Sequence, residues 1–229
     1  MMPALKRENG MRKLVLMGLM MGLASGPILA EATEGLPKGT QAPNFRLPVV
    51  NEMATEQFGK WFGPAKWIGS SPKDPKKLVL MSFFATYCVP CKKEMPELVR
   101  LFKTYEAQGL GVTLVSIDKS LEKRKVVEEL AKENQVTFPV LHDRFGVVGR
   151  RYKAERLPYV LFLDQQGVIQ KVHIGYTEEM KAALENEVRA GLGLEPLAVV
   201  KDVPAKEAPK SKSKKKRGKK KRGKKSKKS

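Results

Sequence analysis

Cys88 and Cys91 are the only cysteines in a chain of 229 residues. Their spacing, Cys88-Val89-Pro90-Cys91, suits a dithiol that cycles with a disulfide: one thiolate attacks a partner's disulfide, and the other attacks the mixed disulfide and frees the partner. A pair at this spacing is also half of a common zinc site, but zinc wants four ligands. Beyond the cysteines the chain offers only His142 and His173, each alone in its segment. No metal is therefore expected. A purely structural bridge closes so short a loop that it removes little unfolded-state entropy. The sequence assigns Cys88 as nucleophile and Cys91 as resolving thiol, paired as a redox disulfide.

Those sulfurs need a scaffold, and the flanking residues describe one. Residues 78–84, Leu-Val-Leu-Met-Ser-Phe-Phe, form a nearly unbroken apolar run, as in a strand covered on both faces. After the cysteines, Met95, Leu98, Val99, Phe102 and Tyr105 recur at spacings of three and four, while Lys92, Lys93, Glu97, Arg100 and Lys103 supply a polar face. Cys88 thus falls at a helix N-terminus, where unpaired N–H groups and the helix dipole favour thiolate over thiol. Pro96 lies inside this helix and is expected to kink it. Further strand and helix patterns alternate as a parallel βαβ arrangement requires. Residues 112–117 read as a buried strand, 121–133 as a helix with Val126, Val127, Leu130 and Ala131 inward, and 138–141 as a short strand. Residues 159–163 and 168–174 flank the turn Asp164-Gln165-Gln166-Gly167, as in an antiparallel hairpin. A last helix over 178–190 sets Met180, Ala183, Leu184 and Val188 on one stripe, with Gly191 and Gly193 as stops.

Three motifs in order and at matching spacing carry a family resemblance. The segment from Ala42 to Pro48, the stretch Phe83-Phe84-Ala85-Thr86-Tyr87-Cys88-Val89-Pro90-Cys91-Lys92-Lys93-Glu94-Met95-Pro96, and Leu157-Pro158-Tyr159-Val160-Leu161-Phe162-Leu163-Asp164 resemble the TlpA/ResA-like thiol-disulfide oxidoreductases. These belong to the AhpC/TSA-Redoxin-like group of the thioredoxin superfamily. The resemblance covers about residues 39–194. It implies an α/β thioredoxin fold, a central mixed β-sheet flanked by helices, with an N-terminal extension and a central βα-type insertion carried by residues 121–141. It also implies no cofactor, and an active-site loop containing Tyr87, Val89 and Pro90. Pro158 is implied to be cis, turning the backbone of Leu157 outward to pair with an extended substrate. A proline is tolerated there as the strand's first residue. Ser82 stands where thioredoxin has a buried acid, which makes Glu94, three residues after Cys91, the nearest candidate proton carrier. The plainer alternative for Glu94 is a solvated helix residue beside Lys92 and Lys93.

A peroxiredoxin-like peroxidase shares the Ala-Pro-Asn-Phe start, but its Pro-x-x-x-Thr-x-x-Cys context is not met before Cys88. Phe58 to Trp67, an aromatic stretch holding both tryptophans, departs from the brief connector usual in the group. It suits packing over the sheet more than a partner-binding surface.

The two ends read differently from the middle. Lys6, Arg7, Arg12 and Lys13 precede an apolar stretch from Leu14 to Leu23 and then Ala30-Glu31-Ala32, the layout of a secretory signal within 1–32. An uncleaved anchor is the alternative, though the apolar stretch falls short of the ~20 residues that span a bilayer. Export to a periplasmic or other extracytoplasmic space fits disulfide chemistry. It implies exported disulfide-containing proteins as partners and, by the resemblance, clients of cytochrome c maturation and a membrane thiol-disulfide carrier as electron donor. At the other end, residues 201–229 hold 16 Lys and Arg against 2 acids, which supplies +14 of the chain's +20. Lys214-Lys215-Lys216-Arg217-Gly218 repeats as Lys219-Lys220-Lys221-Arg222-Gly223. With no apolar side chain after Ala208, this tail is expected to be disordered. Anionic membrane or an acidic envelope polymer would attract it. Nucleic acid as a partner would contradict the export reading. Direction is left open by Val89-Pro90, so a disulfide-donating oxidase stands beside a reductase. A different class again is an envelope-binding protein acting mainly through its tail.

Overall fold

The computed structural model describes residues 35–197. Residues 1–32, read above as a secretory signal, and the basic tail 201–229 lie outside the described residues. In chain order, strand β1 (Leu47–Pro48), helix α1 (Glu52–Phe58) and β2 (Trp61–Phe62) form an N-terminal extension. There follow β3 (Leu78–Phe84), α2 (Val89–Tyr105), β4 (Leu110–Ser116), α3 (Lys123–Glu133), β5 (Val140–His142), α4 (Val147–Arg151), β6 (Tyr159–Asp164), β7 (Ile169–Ile174) and α5 (Met180–Gly191). The five long-range strands lie in the order β5-β4-β3-β6-β7. β3, β4 and β5 run parallel, while β6 is antiparallel to β3 and β7 to β6. This mixed sheet flanked by helices is the thioredoxin fold.

All seven residues of β3 are buried, because the alternating side chains of the central strand feed two different cores. Leu78, Leu80 and Phe84 pack with Leu98, Phe102 and Val188 of α2 and α5, and with Val127 of α3. Val79, Met81 and Phe83 face the other way, onto Phe62 and Trp67 of the N-terminal extension and onto Val148 and Tyr152. Within the Phe58 to Trp67 stretch, Phe62 and Trp67 therefore belong to the core and Phe58 packs against it. Phe58, Phe62 and Trp67 meet edge-to-face, and Trp67 is buried while Trp61 stays half exposed under Arg46. Sealing an aromatic of this size is worth about 1.5–3 kcal/mol.

Several side chains sit otherwise than their periodicity suggests. Val126 is exposed, and α3 turns Val127 and Ala131 inward instead. Ala183 is exposed on α5. Glu97, on the expected polar face of α2, is buried because Arg100 bonds both its carboxylate oxygens. Helix α2 runs continuously through Pro96. Gly191 belongs to α5 itself: a Cβ there would lie 2.6 Å from the Leu78 side chain, so the glycine permits close packing of helix on sheet. Gly193, at φ +72°, makes the left-handed stop.

Candidate active site

Strand β3 ends at Phe84, and a tight turn follows in which Cys88 N–H donates to Ala85 O at 3.0 Å. Cys88 is the N-cap of α2, with extended backbone, and its Sγ accepts from Cys91 N–H at 3.2 Å. The two cysteines form a disulfide with Cα atoms 5.3 Å apart. Pro90 sits in the first turn, where a missing N–H costs nothing. Cys88 is 8% exposed and Cys91 2%, while Tyr87 and Val89 beside them are 74% and 62% exposed. The dithiol thus reaches solvent through one edge of Cys88, framed by two outward apolar side chains.

Behind it, Glu94 points into the sheet and is 1% exposed. Ser82 Oγ donates to Glu94 Oε2 at 2.8 Å, and Oε1 has no partner among the described residues. Burial pushes the carboxyl up to about 8, against the opposing pull of the Ser82 hydrogen bond. The solvated alternative for Glu94 therefore fails: with Cys91 three residues before it and Leu98 four after, it lies on the face that α2 packs onto the sheet. Ser82 does more than stand in for a missing acid, since it anchors the acid that is there.

Leu157 and Pro158 are joined by a cis peptide bond. The register of β3 against β6 pairs Phe83 with Tyr159, so Pro158 lies level with Phe84, at the end of β3 that leads to the cysteines. Pro158 is buried and Leu157 half-buried. Pro158 O accepts from Gly175 N–H at 2.8 Å.

Sequence reasoning did not single out Asp118. Its buried carboxylate accepts from Thr86 N–H at 2.8 Å, from Thr86 Oγ1 at 2.7 Å and from Ser116 Oγ at 2.8 Å. It thereby fastens the turn two residues before Cys88 to the end of β4. The one signal available was an acid directly after a buried strand. The two histidines serve elsewhere. His142 Nε2 bonds Asp118 O at 2.8 Å, and His173 on the opposite edge strand pairs with Glu187. Among the described residues no three His, Cys, Asp or Glu side chains group as metal ligands.

The rear of α2 is tied to α5. Arg100 bridges Glu97 at 2.6 Å and Glu185 at 2.5 Å, and Tyr105 O–H donates to Glu185 at 2.7 Å. Burial would raise the Glu185 carboxyl, but these donors outweigh it and leave it lowered. The helix carrying both cysteines and Glu94 is thus held at both ends.

The family model described as AhpC/TSA family matches residues 38–172. The chain belongs to the AhpC/TSA family. Relatives within it include the thioredoxin-like protein YneN of Bacillus subtilis, 34% identical over 62% of this chain and 74% of that protein. The thiol-disulfide oxidoreductase ResA of the same organism is 30% identical over 69% of this chain and 79% of ResA. A solved thiol:disulfide interchange protein of the thioredoxin family from Chlorobium tepidum superposes with a TM-score of 0.53 at 24% identity. It covers 69% of this chain and 99% of its own, and shares the fold. This AhpC/TSA member is a thiol-disulfide oxidoreductase of the ResA type, with a Cys-x-x-Cys pair at the head of α2.

Proposed function

We propose that the chain reduces disulfides of extracytoplasmic client proteins. Cys88 is the nucleophile, Cys91 the resolving thiol, Glu94 the proton carrier and Leu157-Pro158 the edge that guides the client backbone. In the reduced protein the Cys88 thiolate attacks one client sulfur, breaks the client S–S bond and releases a client thiolate, leaving a mixed disulfide. Cys91 then gives its proton to Glu94 and attacks Cys88 Sγ, releasing the second client thiolate as the Cys88–Cys91 bond forms. Two electrons pass from the dithiol to the client, and a membrane thiol-disulfide carrier returns them.

The observation that carries this reading is Glu94, sealed in α2 one turn after Cys91 with Ser82 as the partner of one carboxylate oxygen and none for the other among the described residues; burial raises its carboxyl to about 8. A base poised near neutral pH takes and returns a proton efficiently. Its charge, once ionised, disfavours a neighbouring thiolate and so favours a dithiol that gives up electrons, which supports reduction over disulfide donation. Cys91→Ser should accumulate a mixed disulfide through Cys88 when the reduced protein meets an oxidised client. No adduct, or an adduct that survives Cys88→Ser, would sink the assignment.

Export is supported by the basic residues before Leu14 and the Ala30-Glu31-Ala32 segment. Kinship with the TlpA/ResA-like group supports clients handled during cytochrome c maturation. The tail from Lys201 onward supports retention at an anionic envelope surface.

A further inference from the structure

The C-terminal ends of β3, β4 and β5 all point to the edge of the sheet that carries the dithiol, because these strands are parallel. The loops leaving them are in contact. Asp118 holds Thr86, His142 reaches Asp118 O, and Lys119 Cε lies 3.7 Å from where a Cβ of Gly146 would sit, with Arg150 Nη1 at 3.2 Å from the same point. These loops hold five of the nine large apolar side chains left exposed among the described residues: Tyr87, Val89, Leu121, Phe145 and Val147. Phe145, 65% exposed, lies under the Arg144 guanidinium at 4.3 Å, and Arg150 Nη1 donates to Phe145 O at 3.1 Å. Exposed apolar side chains concentrated at one end of a sheet are what a contact surface presents.

Charge in the same loops is one-sided. Lys92, Lys93, Lys119, Arg144 and Arg150 are exposed. Asp118 and Asp143 are buried, and their carboxylates are occupied by backbone and hydroxyl donors. The exposed acids are Glu122 and Glu155. Between the β4–α3 loop and α4 lies a cleft of about 390 Å³ lined by Ile117, Lys119, Arg150, Ala154 and Glu155. Its lining combines the apolar Ile117 and Ala154 with two cations and the one carboxylate of Glu155.

We infer that this edge is a client-docking rim selective for polypeptide segments in which the disulfide is flanked by acidic and apolar residues. The inference rests on the reading of Cys88 as the attacking sulfur. An apolar client side chain adds to Tyr87 and Val89 beside the dithiol or to Phe145 on the β5–α4 loop. Client carboxylates meet Lys119, Arg144 and Arg150, and steer the encounter before the sulfurs touch. Electrostatic steering of this kind changes association rates by about 10- to 1,000-fold and fades as salt rises.

The test uses the reduced full-length chain and two synthetic peptides, each closed by one disulfide and differing only in Asp/Glu or Lys flanks. At low ionic strength the acidic peptide should be reduced at least about tenfold faster, and its rate should fall with added salt while that of the basic peptide does not. The triple variant Lys119→Glu, Arg144→Glu, Arg150→Glu should invert the preference, a gain that an unfolded protein could not show. Lys119→Gln and Arg150→Gln singly should each cut the acidic preference by about twofold. Equal rates for the two peptides in the wild type would overturn the inference. So would an acidic preference that survives in the triple variant, since the attraction would then lie outside Lys119, Arg144 and Arg150. Loss of binding to anionic vesicles in the triple variant, with peptide preference unchanged, would reassign the rim to a membrane surface. Failure of the wild type to reduce even a small neutral disulfide would remove the oxidoreductase cycle of Cys88 itself, an outcome distinct from a rim without selectivity.

Discussion

Ser82 and Glu94 meet across the interface between the central strand and the helix that carries the cysteines, hydroxyl to carboxylate at 2.8 Å and both sealed from solvent. This places one titratable group inside the core, three residues from Cys91, and gives the protein a measurable pH signature.

The Glu94 carboxyl is raised from 4.5 to about 8 by burial. Between those values the folded protein keeps a proton that the unfolded chain has released. Its contribution to stability is therefore full below about pH 4.5 and is lost as the pH climbs through 8, with a total on the order of a few kcal/mol. Denaturant unfolding of the oxidised protein should show stability falling from pH 5 to pH 9, and Glu94→Gln should flatten that slope. A Gln variant with the wild-type slope would contradict the placement.

Glu94→Gln should also slow the resolving step, because Cys91 loses its proton acceptor. Loss of one general base commonly costs about 100-fold or more. Stopped-flow measurement of mixed-disulfide decay should show the loss near pH 7, with attack by Cys88 little changed.

Asp118 satisfies three donors at once. Asp118→Ala leaves the Thr86 amide and hydroxyl buried without a partner, at a cost of about 1–3 kcal/mol for each group so stranded. Urea unfolding should report the loss. The apparent pKa of Cys88, followed by thiolate absorbance, should shift with it, because the turn that sets the N-cap is no longer pinned. Thr86→Ser keeps both donors and should leave both readouts close to wild type.

Gly191→Ala tests packing apart from chemistry. The new methyl meets Leu78 at 2.6 Å, and overpacking of this kind costs about 1–3 kcal/mol. Thermal unfolding should show the drop, while the potential of the dithiol couple stays at the wild-type value.

Much of this architecture is legible in the residues. The run 78–84 announces a strand with no polar face, the three- and four-residue spacing after Cys91 announces its helix, and Asp164 to Gly167 announces the hairpin. Each is a local pattern with a local cause. What escaped depends on contacts between distant segments. Glu97 looks like surface until Arg100, anchored across to Glu185 of α5, covers it. Asp118 becomes meaningful only when β4 lies beside β3 and brings Thr86 within reach. The N-terminal extension pairs strands of two residues each, Leu47–Pro48 with Trp61–Phe62, too short for any periodicity to show. At the site, the cysteines and the Leu157-Pro158 step were marked by sequence. The depth of Glu94 and its partnership with Ser82 required the sheet and helix to be packed together.

The direction of electron flow is the claim on which the rest depends, and the reduction potential of the Cys88/Cys91 couple tests it most directly. Equilibrating the protein against defined thiol-disulfide buffers should give a value near or below about −250 mV, in the range of thioredoxin-like reductants. A value near about −120 mV, that of a strong disulfide donor, would contradict the account and reverse the mechanism.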